Sequence, residues 1–168
     1  MPLQDFLNLL ERYTGATASN PPASSAQDFE KVAESAPQNH LAEGLAQAFR
    51  SNETPPFANM ITNLFSQSNG QQRADLVNHL LSAAGPTIGS LAGGGLLSSL
   101  LGGGSQVSAQ QAEQVSPETV QQLADHAEKN DPSIIDRVSG LYAQHPQMVQ
   151  VLGAGAMALV LSHLSKKA

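Results

Sequence analysis

"TPPFANMITNLFSQSNGQQRADLVNHLLSAAGP", residues 54–86, holds two apolar stripes separated by a turn signal. Phe57, Met60, Ile61, Leu64 and Phe65 recur at i, i+3, i+4, i+7 and i+8, the spacing that lines one face of an α-helix. Ser68-Asn69-Gly70 interrupts the pattern, and Val77, Leu80, Leu81 and Ala84 resume it. Thr54 is expected to cap the first helix, with Pro55 at its first position, where a missing N–H costs nothing. So short a break joins the two helices as an αα-hairpin or helix-turn-helix unit, which Gly85-Pro86 closes. The stretch reads as helical.

The rest of the chain carries the same period. Leu3, Phe6, Leu7 and Leu10 form a stripe from residue 2 to about 14, with Gly15 as its stop. "ATASNPPAS", residues 16–24, reads as a linker. Helices follow at about 25–35, with Phe29, Val32 and Ala36, and at about 38–50, with Leu41, Leu45, Ala48 and Phe49. Ser116-Pro117, Asp131-Pro132 and His145-Pro146 each open a further apolar stripe, so three helices joined by very short turns are expected. No persuasive period-2 strand occurs. The fold class expected is all-α: a bundle of short helices with a helix-turn-helix or homeodomain-like unit and a Gly-rich central helix. The expected divisions are an N-terminal amphipathic helix at 1–15, a linker at 16–24, a helical region at 25–104, a linker at 105–116 and a C-terminal three-helix unit at 117–168.

Composition narrows the function. The 168 residues suffice to bury a core, and without cysteine neither disulfides nor thiolate metal sites arise. A net charge of −6 and a pI near 5.2 argue against non-specific binding to nucleic acid or anionic lipid. Only 13% of residues are charged, against about a quarter in ordinary domains. No charged residue falls between Asp75 and Glu113, or between Arg137 and Lys166. Such stretches predict surfaces that face something other than bulk water. The N-terminus lacks a basic region and a continuous apolar core, so the expected location is cytoplasmic.

Two blocks, "FRSNETPPFANMITNLFSQSNGQQRADLVNHLLSAAGP" (49–86) and "LADHAEKNDPSIIDRVSGLYAQHPQMVQVLGAGAMALVLSHL" (123–164), resemble the bacterial YidB-like family of small uncharacterised helical proteins. The similarity covers about half the chain and rests on the Thr-Pro-Pro-Phe start, the Asn-Gly turn and the Gly-rich segment. The resemblance implies a helical, homeodomain-like arrangement and no catalytic residues. For DNA binding, the second helix of the unit offers only Arg73 as a firm cation.

No catalytic motif emerges. His40, His79, His126, His145 and His163 are never spaced as a His-Glu-x-x-His pair, and His145 sits at a cap position. Asp125 and Glu128 share a helix face beside Lys129, which reads as a solvated face, and Asp131 reads as an N-cap. Phe49, Phe57, Phe65 and Tyr142 sit at core spacing. No Gly-x-Ser-x-Gly elbow or phosphate loop is present. The expectation is a non-enzyme with no catalytic residue, cofactor or metal.

The interaction candidates are glycines and leucines. Gly85, Gly89 and Gly93 recur every four residues, a ridge on which a second helix can approach closely. Each interior Gly costs about 1 kcal/mol against Ala, whereas burying each of Leu96, Leu97, Leu100 and Leu101 contributes about 1.5–3 kcal/mol. A slack linker has no use for four clustered leucines. The last stripe, 146–164, is apolar around its axis, with Gly153 and Gly155 as flat ground. It reads as the central helix of a C-terminal bundle or as an oligomer contact. The function expected is a self-associating scaffold, shell or assembly component whose partner is a second copy or another protein. The alternatives are a peripheral membrane or lipid-binding module and a homeodomain-like DNA or protein adaptor, with nucleic acid disfavoured by charge.

Overall fold

The computed structural model of the chain describes residues 2–17, 19–85 and 106–167, and every regular element among them is helical. The Gly-rich helix expected at 86–101 lies outside the described residues. The chain divides into two units, Met1–Pro56 with Ser139–Ala168, and Phe57–Val138. This division cuts across the sequential one expected, because 117–168 is shared between the two.

The first unit holds α1 (Leu3–Glu11), α2 (Ser25–Ser35) and α3 (Gln38–Arg50). The last helix, which begins at Ala154, packs on all three. It buries Ala156, Met157, Ala158, Val160, Leu161 and Leu164, while α3 buries Leu41, Leu45, Ala48 and Phe49. Each such large side chain contributes about 1.5–3 kcal/mol when fully buried. A Cβ on Gly44 would lie 2.8 Å from Val160 Cγ1 and 3.3 Å from the Val160 carbonyl oxygen. The two backbones approach that closely because Gly44 has no side chain. The final apolar stripe is therefore central, as expected, but its neighbours are the N-terminal helices.

A buried carboxylate ties α1 to α2. Asp28, 3% exposed, accepts hydrogen bonds on Oδ2 from Tyr13 Oη at 2.6 Å and Ser24 Oγ at 2.6 Å, with Arg12 Nη2 at 3.5 Å. Burial alone would push this carboxyl up; the hydrogen bonds from Ser24 and Tyr13 and the Arg12 charge outweigh it and hold it below the usual range. Burial, and the bond to Asp28, raise the Tyr13 hydroxyl.

The second unit holds α4 (Phe57–Gln67), α5 (Gly70–Ala84), α6 (Ala109–Glu113), α7 (Pro117–Asn130) and the first half of α8 (Ile134–Ala143), whose second half belongs to the first unit. α4 and α5 touch each other little and both pack on α7, which buries Val120, Leu123, Ala124 and Ala127 between them. Their connecting turn is tightly specified. Asn69 caps α5 by accepting from the Gln72 N–H at 2.9 Å, and Gln72 Oε1 accepts from the Asn69 N–H at 3.1 Å, a capping box. Arg73 lies 4.8 Å above the Phe65 ring and donates to the carbonyls of Phe65 and Ser66 at 3.0 and 3.1 Å. Those carbonyls end α4 and have no partner within the helix.

Several local expectations are corrected. In α1 the inward residues are Leu9 and Leu10, with Tyr13 buried in the turn that follows and Phe6 half-buried, so Leu3 and Leu7 are left exposed. Thr54 does not cap α4: its hydroxyl donates back to Ala48 and Ser51 carbonyls, closing the end of α3, and α4 starts at Phe57. Ser116 does cap α7, accepting from the Thr119 N–H. Asp131 organises a turn by accepting from the Ser133 N–H and hydroxyl, and α8 starts later, at Ile134. His145 occupies the N-cap position before Pro146 but makes no capping bond. The expected 105–116 linker contains α6. The expected continuous helix from 146 is broken into α9 (Pro146–Val149), a 3-10 turn (Gln150–Leu152), Gly153 and α10 (Ala154–Lys167).

Gly44→Ala is expected to destabilise the protein by about 1–3 kcal/mol through overpacking. In a Val160→Ala background the 2.8 Å contact with Cγ1 is gone and the 3.3 Å approach to the carbonyl oxygen of residue 160 remains, so the same change is expected to cost less than in the wild type. Urea titration of the four proteins measures this. Asp28→Asn is expected to cost about 1–3 kcal/mol at neutral pH. Because the folded carboxyl sits below its unfolded value of about 3.9, its contribution is present above that pH and lost as pH falls through the folded value. The variant should lose that part of the acid-side decline, measured by urea midpoints between pH 2 and 6.

Candidate interaction site

Of the residues singled out for interaction, Gly89, Gly93, Leu96, Leu97, Leu100 and Leu101 lie outside the described residues. The structure describes how the segment that contains them is held at both ends. On the entry side α5 ends at Gly85, whose φ of +70° suits a residue without a side chain. Asn130 Nδ2, at the end of α7, donates to the Ala83 carbonyl at 2.7 Å and satisfies an acceptor that the helix end leaves open. Gly85 is therefore a helix terminator, with Asn130 Nδ2 3.5 Å from where its Cβ would be.

On the exit side one side chain grips one peptide unit. Asn78 Oδ1 accepts from the Val107 N–H at 2.7 Å, and Asn78 Nδ2 donates to the Val107 carbonyl at 3.1 Å. Val107 is itself 3% exposed. Ser108 then starts α6 with a capping box to Gln111, and α6 packs on α5. At Gly70 a Cβ would meet Glu113 Oε1 at 2.9 Å and Ala109 Cβ at 3.4 Å, so a side chain here would require the Glu113 carboxylate to swing aside. From Asn78 to Gly85 the helix rises roughly 10 Å. The two described flanks, Gly85 and Val107, are thus both held at one helix, α5.

Gly153 and Gly155 stand at the start of the last helix. Gly153 is exposed, has φ +91°, and has nothing within 4 Å of an added Cβ; it breaks the helix. Gly155 is half-buried. The glycine that brings two helices together in this unit is Gly44, which the sequence reading missed. Its signal was the Gly44–Ala48 pair at i, i+4 within the Leu41, Leu45, Phe49 stripe.

Chemistry elsewhere is sparse. Phe49, Phe57, Phe65 and Tyr142 are at most 4% exposed and belong to the core. Lys129 Nζ pairs with Asp125 at 2.8 Å, and Arg137 Nη2 with Asp131 at 2.7 Å. Glu128 is pushed up by burial first and by Asp125 second, while the hydrogen bonds to Ser133 hold Asp131 down. Lys167 lies 3.2 Å from Glu43, and its hydrogen bond lowers that carboxyl; His163 Nε2 lies 3.6 Å from the same oxygen. Among the described residues no three His, Asp or Glu side chains converge as a metal site. A cleft of about 410 Å3 in the first unit is lined in part by Arg50, Glu53, Leu159 and Lys166. Arg50 and Lys166 stand in the last turns of α3 and α10, where cations offset the helix dipole, and with Glu53 beside them the lining selects no ligand charge.

No family model matches the chain, and no curated protein or solved structure matches it significantly.

Asn78→Ala removes both bonds to Val107. The expected result is amide exchange at Val107 and in α6 about tenfold faster or more, consistent with a loss of about 1–3 kcal/mol, with α10 unaffected. Hydrogen exchange read by NMR checks it.

Proposed function

We propose that the chain is a non-catalytic helical protein of the cytoplasm that self-associates through the uncharged segment 85–101 and serves as a scaffold, shell or assembly component. One observation carries the reading: the segment's flanks are clamped, by Asn130 at Ala83 and by Asn78 at Val107. A passive spacer needs no such clamps. Holding both ends reduces the conformational freedom that the segment loses when it docks. Membership of the YidB-like family belongs to the same proposal.

Charge favours a protein partner over nucleic acid or anionic lipid. Residues 57–138 contain three Lys or Arg residues, Arg73, Lys129 and Arg137. All three are engaged, Arg73 with the end of α4, Lys129 with Asp125 and Arg137 with Asp131. A phosphate-backbone reader needs several cations to displace counterions, and this unit has none to offer. No described helix is long and apolar enough to cross a membrane.

Light scattering coupled to size-exclusion chromatography over a dilution series tests the reading. Wild type is expected to form multimers that dissociate on dilution, and replacing Leu96, Leu97, Leu100 and Leu101 by Ser is expected to leave a 17.5 kDa monomer. A wild type that is monomeric at every concentration would overturn it, and flotation with neutral liposomes would move the segment to the lipid alternative.

A further inference from the structure

The turn between α4 and α5 contains the one Asn-Gly pair of the chain, Asn69-Gly70. An asparagine before a glycine is chemically labile. The following backbone nitrogen can close a five-membered ring on the side-chain carbonyl carbon, and glycine, without a Cβ, obstructs that approach least. Asn69 is exposed to water, and Gly70, as the first residue of α5, has an N–H that no carbonyl of its own helix accepts. Electrophile, nucleophile and water therefore meet at this turn.

Three hydrogen bonds restrain the pair. Asn69 Oδ1 accepts from the Gln72 N–H at 2.9 Å, Gln72 Oε1 accepts from the Asn69 N–H at 3.1 Å, and the Asn69 carbonyl accepts from the Arg73 N–H at 2.9 Å. They hold Asn69 at φ −77° and ψ 173°. Ring closure needs the Gly70 nitrogen nearly eclipsed with Asn69 Cβ about the Cα–C bond. At this ψ the two are staggered, so the ring closes only after the turn opens.

We propose that Asn69-Gly70 is a spontaneous deamidation site and that the capping box is the latch that sets its rate. Water and hydroxide are the only co-reactants. The Gly70 amide gives its proton to hydroxide, and its nitrogen attacks Asn69 Cγ. The N–Cγ bond forms as the Cγ–Nδ2 bond breaks, and ammonia leaves after taking a proton from water. Water then opens the ring. Breaking the N–Cγ bond leaves aspartate; breaking the bond from that nitrogen to the residue 69 carbonyl carbon leaves isoaspartate. Nothing is oxidised or reduced. Aspartate still accepts from the Gln72 N–H, and its charge suits a helix N-terminus. Isoaspartate lengthens the main chain by a methylene, which disrupts the turn that brings Arg73 onto the Phe65 and Ser66 carbonyls.

The test incubates full-length wild type, Gln72→Ala, Gln72→Glu and Val32→Ala at mildly alkaline pH without denaturant. Trypsin then releases the peptide from Ser51 to Arg73, and mass spectrometry locates each amide that has become an acid. Asn52, Asn59 and Asn63 in the same peptide have no glycine after them and serve as internal controls. Wild type unfolded in urea is expected to convert Asn69 about tenfold faster or more than the folded protein, with the three controls intact. Folded Gln72→Ala is expected to react about threefold faster or more than folded wild type. Gln72→Glu restores an acceptor for the Asn69 N–H and should react at the wild-type rate. Val32→Ala loosens the first unit, away from the turn, and should also leave the rate unchanged. An unfolded chain that keeps Asn69 intact would overturn the site. A Gln72→Ala rate equal to wild type, or matched by Val32→Ala or Gln72→Glu, would overturn the latch.

Discussion

A helix with apolar side chains around most of its circumference has to be enclosed, and α10 places that requirement on the whole first unit. Enclosure takes three helices, α1, α2 and α3, all drawn from the opposite end of the chain. The chain must therefore leave after residue 56, build the second unit, and return at residue 139 to complete the first. The closest part of this packing is the approach of α3 to α10 at Gly44 and Val160. A side chain at Gly44 would push the two backbones apart and open the core that both helices line. The break at Gly153 belongs to the same geometry, because it lets α10 begin on its own axis after the short turns at 146–152.

Charged groups are few, and most of the cations have structural work. Arg73 finishes α4, Lys129 and Arg137 neutralise acids on α7 and in the turn that follows, Lys167 holds Glu43, and Arg12 approaches buried Asp28. Exposed pairs of this kind contribute little, typically below about 1 kcal/mol each. Their larger consequence is what they leave over: an excess of acidic groups on a chain with long uncharged stretches. That charge balance disfavours phosphate-rich partners and, on the reading proposed above, favours contact between the uncharged parts of separate copies.

Much of the helical content could be read directly. The spacing of Phe57, Met60, Ile61, Leu64 and Phe65 marked α4, and Ser116-Pro117 marked the start of α7, because caps and apolar periods act over a few residues. Thr54 carried the same local signal as Ser116 and was used differently, as a hydroxyl closing the helix before it. Short polar stretches were harder. α6 is five residues long, too short to show a period, and exists because α5 offers a surface for it. The glycines divided by cause: Gly85 and Gly153 are required by their backbone angles, Gly44 by a neighbour remote in sequence.

The amino-acid sequence by itself determined an all-helical chain, most of its helices, its lack of thiol chemistry and the absence of charge from residue 76 to 112. These follow from local periodicity, capping and composition, which involve residues near one another in the chain. Tertiary structure alone decided that α10 belongs with α1–α3, that Leu3 and Leu7 stay uncovered while Leu9 and Tyr13 turn inward, and that Asn78 and Asn130 hold the flanks of the leucine segment. Adjacent apolar stripes on one helix have nearly equal claims to the core. The choice between them is made by the volume and shape of distant partners, about which a local pattern carries no information.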